Sequence, residues 1–236
     1  GKTYSISHFA QSLDGKIATL SGHSRWISNE ENLIHAHRMR ALCDGILIGG
    51  NTLKRDNPRL TVRHVEGHDP VKIIVGKGQY SFTRILENNG QVIWVTSHQR
   101  SEKYMENIKV LHFPSNNKGL IDPGAILTQL FELDIYSIYI EGGAITTSHF
   151  LTFYALDEIQ VYISPEIIGS GIPSFSLEGI KKIDNAIQFA DRQFILMGDG
   201  ILFKGNVNYK EHGKQRTLAH IKKQKYDQDI PHSGIE

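Results

Sequence analysis

An α/β fold built on a mixed, mainly parallel sheet is what the sequence predicts, and three observations lead there. Short apolar runs rich in Ile, Val and Tyr recur along the chain, helix-compatible segments alternate with them through the first two thirds, and the last two runs are joined by the turn-like "MGDG". Runs of that length and composition form strands. Alternation with helices selects parallel pairing with helices on both faces of the sheet, and the tight turn selects a C-terminal antiparallel hairpin.

Strands are expected at 4–10 (YSISHFA), 45–50, 71–76, 91–96, 109–113, 136–143, 158–164, 192–198 and 200–205. After the first of them, "SNEENLIHAHRMRALC" offers Ser28 as an N-cap with Glu31 three residues on, the capping-box pattern, and sets Leu33, Ile34, His37 and Ala41 near one face. "DPGAILTQLFEL" offers Asp122 as a cap with Pro123 in the first helical turn. Past Gly205 the texture changes. Residues 206–236 are polar, carry Lys210, Lys214, Arg216, Lys222, Lys223 and Lys225, and lack a sustained apolar period. One domain over 1–205 and a polar, basic tail over 206–236 are therefore expected, the tail being a solvated extension, a dimer contact or a remnant linker.

With 236 residues, 39% of them hydrophobic and 22% charged, the chain can bury a real core. Twenty-six Lys and Arg against 25 Asp and Glu leave a net charge of +1, so no global field argues for nucleic acid or an anionic membrane, and anion binding must be local. The single cysteine, Cys43, excludes an internal disulfide and suits a reducing compartment, with the cytoplasm as the expected location. It reads as a small core residue, not a nucleophile. No stretch approaches the roughly 20 apolar residues of a membrane helix, and the first residues lack a signal-peptide layout. No metal is expected: His35 and His37 are two apart on a helix, and His64 and His68 lack a glutamate at metal spacing.

Two stretches carry chemistry. In "YIEGGAITTSHFL" a strand ends at Glu141 and runs through Gly142 and Gly143 into a helical segment. Backbone amides at such a helix start can hold a phosphate, with hydroxyls of Thr146, Thr147 and Ser148 at the same end, although a tight structural turn also calls for glycine. Nearer the N-terminus, Asp14, Ser24, Arg25, Trp26, Arg40, Thr52, Asp56, Arg59 and Arg63 gather in loops around one helix and one strand. Arg40 and Arg63 can grip a phosphate or carboxylate, Ser24 can donate to the same oxygens, and Trp26 offers a flat wall for a heteroaromatic ring. Surface salt bridges to Asp44, Asp56 or Glu31 and a core position for Trp26 are the plainer alternatives.

Five spaced signatures extend these clusters: SLDG, Ser-x-Trp-Ile, Gly-x-x-Thr with Asp-x-Pro-x-Leu-Thr-x-Arg, Glu-Gly-Gly, and Pro-x-x-x-Gly-x-Gly. Together they resemble the reductase domain of riboflavin biosynthesis, the C-terminal half of the deaminase/reductase RibD, over roughly residues 4–205. The resemblance implies a dihydrofolate-reductase-like, three-layer domain, a homodimer, NADPH as cofactor and a ribosylaminopyrimidine 5′-phosphate as substrate, reduced to the ribityl form by hydride transfer to C1′. It implies cofactor contacts at Ala10, Trp26, Thr52, Asp56 and the run Gly143, Ala144, Ile145, Thr146, Thr147, Ser148 and His149. It implies substrate contacts at Ser24, Arg40, Leu60, Arg63 and Glu141. It singles out no catalytic acid. A zinc deaminase signature is missing from the sequence, and Lys77 in "VGKGQY" stands near the cofactor's adenosine end as a 2′-phosphate partner or an exposed lysine. Reduction of another pterin or pyrimidine, or a non-catalytic nucleotide-binding role, are the alternative functions on this scaffold.

Overall fold

The computed structural model describes residues 1–24, 27–87, 90–98 and 106–209. Nine strands form one sheet in the order β10-β11-β8-β1-β7-β3-β4-β5-β6. They are β1 (Tyr4–Gln11), β3 (Gly45–Gly49), β4 (Val71–Val75), β5 (Val92–Thr96), β6 (Ile108–His112), β7 (Ser137–Glu141), β8 (Glu158–Ile163), β10 (Gln188–Met197) and β11 (Gly200–Asn208). The pairings from β8 through β6 are parallel, while β11 runs antiparallel to both β8 and β10. All nine expected strands are present. β11 continues past Gly205 to Asn208, and the Tyr209 hydroxyl donates to Leu156 O at 2.8 Å, so the first residues of the expected tail belong to the fold. The rest of it, 210–236, lies outside the described residues.

Alternation along the strands builds two cores. Leu47, Ile73, Ile93, Ile138 and Ile140 face α3 (Pro123–Phe131) and α4 (Ala144–Thr152), which contribute Ile126, Leu127, Leu130, Phe150 and Leu151. Ile46, Ile48, Ile74, Trp94 and Tyr139 face the other way, with Met39 and Cys43 from α1 (Glu30–Leu42) and its C-cap, and Leu53 from α2 (Gly50–Asp56). Helices on both faces make the expected three layers. Asp122 caps α3 by accepting from Gly124 N at 2.8 Å, with Pro123 at its start, as the sequence suggests.

Two expectations for α1 are corrected. Its N-cap is Asn29, whose Oδ1 accepts from Asn32 N at 2.9 Å, and not Ser28. Its buried face is Asn32, His37, Met39 and Arg40, while Leu33 is 41% exposed. The cause is the sheet beneath it, which is polar there. Asn32 Nδ2 donates to Ser28 Oγ, so its Oδ1 accepts from His8 Nε2 at 2.9 Å, leaving His8 Nδ1 to accept from the Tyr139 hydroxyl at 2.6 Å. Beside this chain, His35 Nε2 donates to Gln160 Oε1 at 2.6 Å. A helix over such a surface buries hydrogen-bonding groups, because an unpaired buried one is costly.

A separate two-stranded sheet, β2 (Lys16–Thr19) with β9 (Gly171–Pro173), was not expected; segments of four and three residues carry too little pattern to register. It joins two of the spaced signatures. Asp14 of SLDG accepts from Ile168 N at 3.1 Å, Gly169 N at 2.8 Å and Ser12 Oγ at 2.6 Å, which together hold its carboxyl down at about 2.

Candidate active site

After β3, successive strands step outward to β6; the chain then returns through α3 to insert β7 between β3 and β1, and through α4 to add β8 beyond β1. Winding thus reverses around β7 and β1. Open parallel sheets bind ligands at such a point, beyond the carboxyl ends of the strands. Gln11, Glu141 and Gly49 end β1, β7 and β3 there.

From Glu141 the chain passes through Gly142 to Gly143, the N-cap of α4, which makes no side-chain cap bond. A Cβ on Gly143 would meet nothing nearer than Ile17 at 4.0 Å, so the turn is open and the first amides of α4 point outward with the positive end of the helix dipole. Alongside, β3 runs straight into α2, whose N-cap Gly49 is also free of a side-chain cap bond. A Cβ there would stand 2.9 Å from Thr146 Oγ1, so glycine lets the two helix starts approach. Within the expected cofactor run, Ile145 is 67% exposed and Ala144 buried. The Thr147 hydroxyl pairs with Ser7 Oγ at 2.8 Å, Ser148 Oγ accepts from Ser176 N at 2.7 Å, and His149 Nε2 donates to Ile121 O at 2.7 Å. Those three side chains brace α4, leaving backbone amides and Thr146 toward the crevice.

Arg40 reaches the same crevice from α1. Its Nε and one terminal nitrogen donate to the two oxygens of Glu141 at 2.8 and 2.7 Å, and the other donates to Thr61 O at 2.9 Å. Arg40 is 7% exposed while Glu141 is partly exposed, so the fork is buried on its arginine side. The arginine and glutamate expected at the substrate are brought together, but on each other. Leu60 is buried at a left-handed φ of 56°, which turns the chain so that Thr61 lies under Arg40 and Arg63 is exposed. The Arg63 guanidinium donates to Thr61 Oγ1 at 2.7 Å and lies 3.5 Å from Thr61 O, with the residue as a whole exposed. Ser24 is exposed at the end of the β2 loop, and Trp26 lies outside the described residues. Thr52 sits half-buried in the first turn of α2; Asp56, its last residue, is exposed and bound by Arg55 at 2.7 Å. Ala10 packs against Tyr162, Met197 and Leu202.

Sequence reasoning passed over two residues here. Gln11 Oε1 is buried with no hydrogen-bond partner among the described residues, a free acceptor next to Ala10. His37 is fully buried, and its Nδ1 accepts from Arg63 N at 3.0 Å. Burial, and then the neighbouring Arg40 and Arg63 charges, hold His37 down at about 4, so it is neutral. Its i, i+3 spacing from Arg40 was the available signal.

A glycine turn, two helix starts without side-chain caps and the Arg40–Glu141 fork meet at the switch point of a mainly parallel sheet, the place where open α/β domains take their ligands. Residues 3–203 match the RibD C-terminal domain, and the chain belongs to that family. The riboflavin biosynthesis protein RibD of Aquifex aeolicus is 32% identical over 208 residues, 85% of this chain and 57% of that protein. The 2,5-diamino-6-ribosylamino-4(3H)-pyrimidinone 5′-phosphate reductase of Methanothermobacter thermautotrophicus is 32% identical over 215 residues, 87% of this chain and 99% of that protein. The crystal structure of a diaminohydroxyphosphoribosylaminopyrimidine deaminase/5-amino-6-(5-phosphoribosylamino)uracil reductase from Thermotoga maritima superposes with a TM-score of 0.71 at 27% identity, over 88% of this chain and 57% of that one. The chain therefore spans a little over half of these RibD relatives and nearly all of the Methanothermobacter reductase.

Proposed function

We propose that the protein is an NADPH-dependent reductase of riboflavin biosynthesis. It converts the ribosyl group of 5-amino-6-(5-phosphoribosylamino)uracil, or of its 2,5-diamino precursor, to ribityl. The observation that carries this is the match to a pyrimidinone phosphate reductase along 99% of that protein and 87% of this chain. The residues fit such ligands. The open turn at Gly143 and the amides at the start of α4 suit the cofactor diphosphate, and the Gln11 carbonyl, without a partner among the described residues, suits a carboxamide donor. Thr52, Asp56, Ala10 and Trp26 complete the proposed cofactor contacts. Arg63 suits the substrate phosphate, with Ser24, Leu60, Arg40 and Glu141 as the other proposed substrate contacts.

The reduced nicotinamide supplies the hydride. The chain's own part is to hold the acceptor carbon in line and to exclude water. Glu141, with both oxygens gripped by Arg40, acts as a fixed acceptor that orients a ligand hydroxyl. A cytoplasmic location accords with the single, buried thiol of Cys43, and no helix among the described residues is long and apolar enough to cross a membrane. A homodimer is proposed on the edge of the sheet: β10 is the outermost strand and leaves Phe194 at 72%, Ile195 at 41% and Leu196 at 83% exposed, an apolar edge that a second copy would cover.

Loss of absorbance at the reduced-nicotinamide band, followed with each pyrimidine phosphate in turn, tests the proposal. One of the two should be reduced with NADPH, and sedimentation of the same sample should give twice the chain mass. No oxidation with either compound would overturn the assignment.

A further inference from the structure

Resting on that reductase reading, we infer that His37 is the positioning residue that presents Arg63 to the substrate phosphate. Two side chains one helical turn apart on α1 hold the segment Leu60–Arg63 by its backbone: Arg40 donates to Thr61 O at 2.9 Å, and His37 Nδ1 accepts from Arg63 N at 3.0 Å. A third contact, from the Arg63 guanidinium to Thr61 Oγ1 at 2.7 Å, fixes the direction in which the side chain leaves. His37 is fully buried, and its ring meets that of His64 edge-on with centroids 4.5 Å apart, so its orientation is set from both sides. With Nδ1 accepting, its proton sits on Nε2, which stands 3.5 Å from a terminal nitrogen of Arg40, a donor facing a donor and so no hydrogen bond. A neutral ring is the only form that can accept a backbone N–H between two guanidinium groups, because an imidazolium offers two donors and no acceptor. The charged and titratable groups around the ring are Arg40 from its own helix, Arg63 from the held segment, His64 just after it, and Glu141 from β7. Without this anchor Arg63 keeps its charge but loses its place, and misplacement of a binding group weakens ground-state and transition-state binding alike.

The test compares His37→Leu, which removes the acceptor at similar volume, with His37→Asn, whose amide oxygen can stand in for Nδ1. Two readouts are taken on the purified chain: steady-state kinetics with NADPH and the pyrimidine phosphate, and hydrogen exchange at the Arg63 amide. Expected for His37→Leu is a rise of tenfold or more in substrate KM, with kcat and NADPH affinity within twofold, and faster exchange at Arg63. His37→Asn should restore both to near the parent. Equal rises in KM for the two variants, or a parallel loss of cofactor affinity, would overturn the inference in favour of simple packing. If the parent chain turns over neither substrate, the reductase reading fails; unchanged Arg63 exchange in His37→Leu would separately overturn the anchoring. If His37→Leu does not fold, His37→Asn alone decides, since loss of Arg63 protection in a folded Asn variant contradicts an acceptor role.

Discussion

At the residue scale, the Arg40–Glu141 fork governs how the crevice responds to change. Glu141→Gln keeps the shape but removes the charge facing a guanidinium that is 7% exposed. Breaking a buried pair costs about 3–5 kcal/mol, and the partial exposure of Glu141 lowers that, so a loss of about 2 kcal/mol is expected. Urea denaturation of the variant against the parent measures it. The exposure of Arg63 was legible because a loop arginine needs little from the rest of the chain to reach solvent. The pairing of Arg40 was not legible: its partner lies 101 residues away, and nothing in the linear pattern says which carboxylate a buried guanidinium meets. The same holds for Thr147, Ser148 and His149, whose spacing placed them on the right helix while tertiary contacts turned them inward to Ser7, Ser176 and Ile121.

At the element scale, α1 shows where local pattern misleads. Ser28 and Glu31 read as a capping box, yet Asn29 takes the cap because its amide also donates to Met197 O at 2.7 Å and Asp199 Oδ1 at 2.8 Å in the turn between β10 and β11. The cap is chosen by a contact across the molecule. Asn29→Ala should therefore cost about 1–2 kcal/mol, the upper part of the range for an N-cap, while Ser28→Ala costs less. Thermal melts of the two variants check the order. Strands β3, β4 and β5 were legible because buried parallel strands are nearly continuous apolar runs. The pair β2 and β9 was not, since its stability comes from Asp14 gripping Ile168 and Gly169 more than from any strand pattern. Asp14 itself stood out in the sequence, but as a candidate for ligand chemistry.

At the scale of the whole molecule, the polar layer between α1 and the sheet ties stability to pH. Burial, with the neighbouring His35 as a smaller cause, pushes His8 down to about 4, against about 6.5 for a free histidine. Between those values the unfolded chain binds a proton that the folded chain refuses, so stability falls as the pH drops from about 6.5 toward about 4, by up to about 1.4 kcal/mol per pH unit for this group. Urea midpoints at pH 7 and pH 5 should show the fall, and His8→Gln should reduce it without abolishing it, because His37 is held equally low; an unchanged slope in that variant would place the effect elsewhere. The layer was not legible from periodicity, which treats His8, Asn32 and Gln160 as solvent-facing. The order of the strands adds a consequence for synthesis. β1 lies between β7 and β8, whose residues follow it by more than 130 positions in the chain, so a growing chain holds this central strand without a neighbour until both have emerged. Ser5, Ser7 and His8, all buried once paired, keep it wettable during the wait, and the same hydroxyls and imidazole that lock the finished sheet protect the nascent chain from sticking to its neighbours.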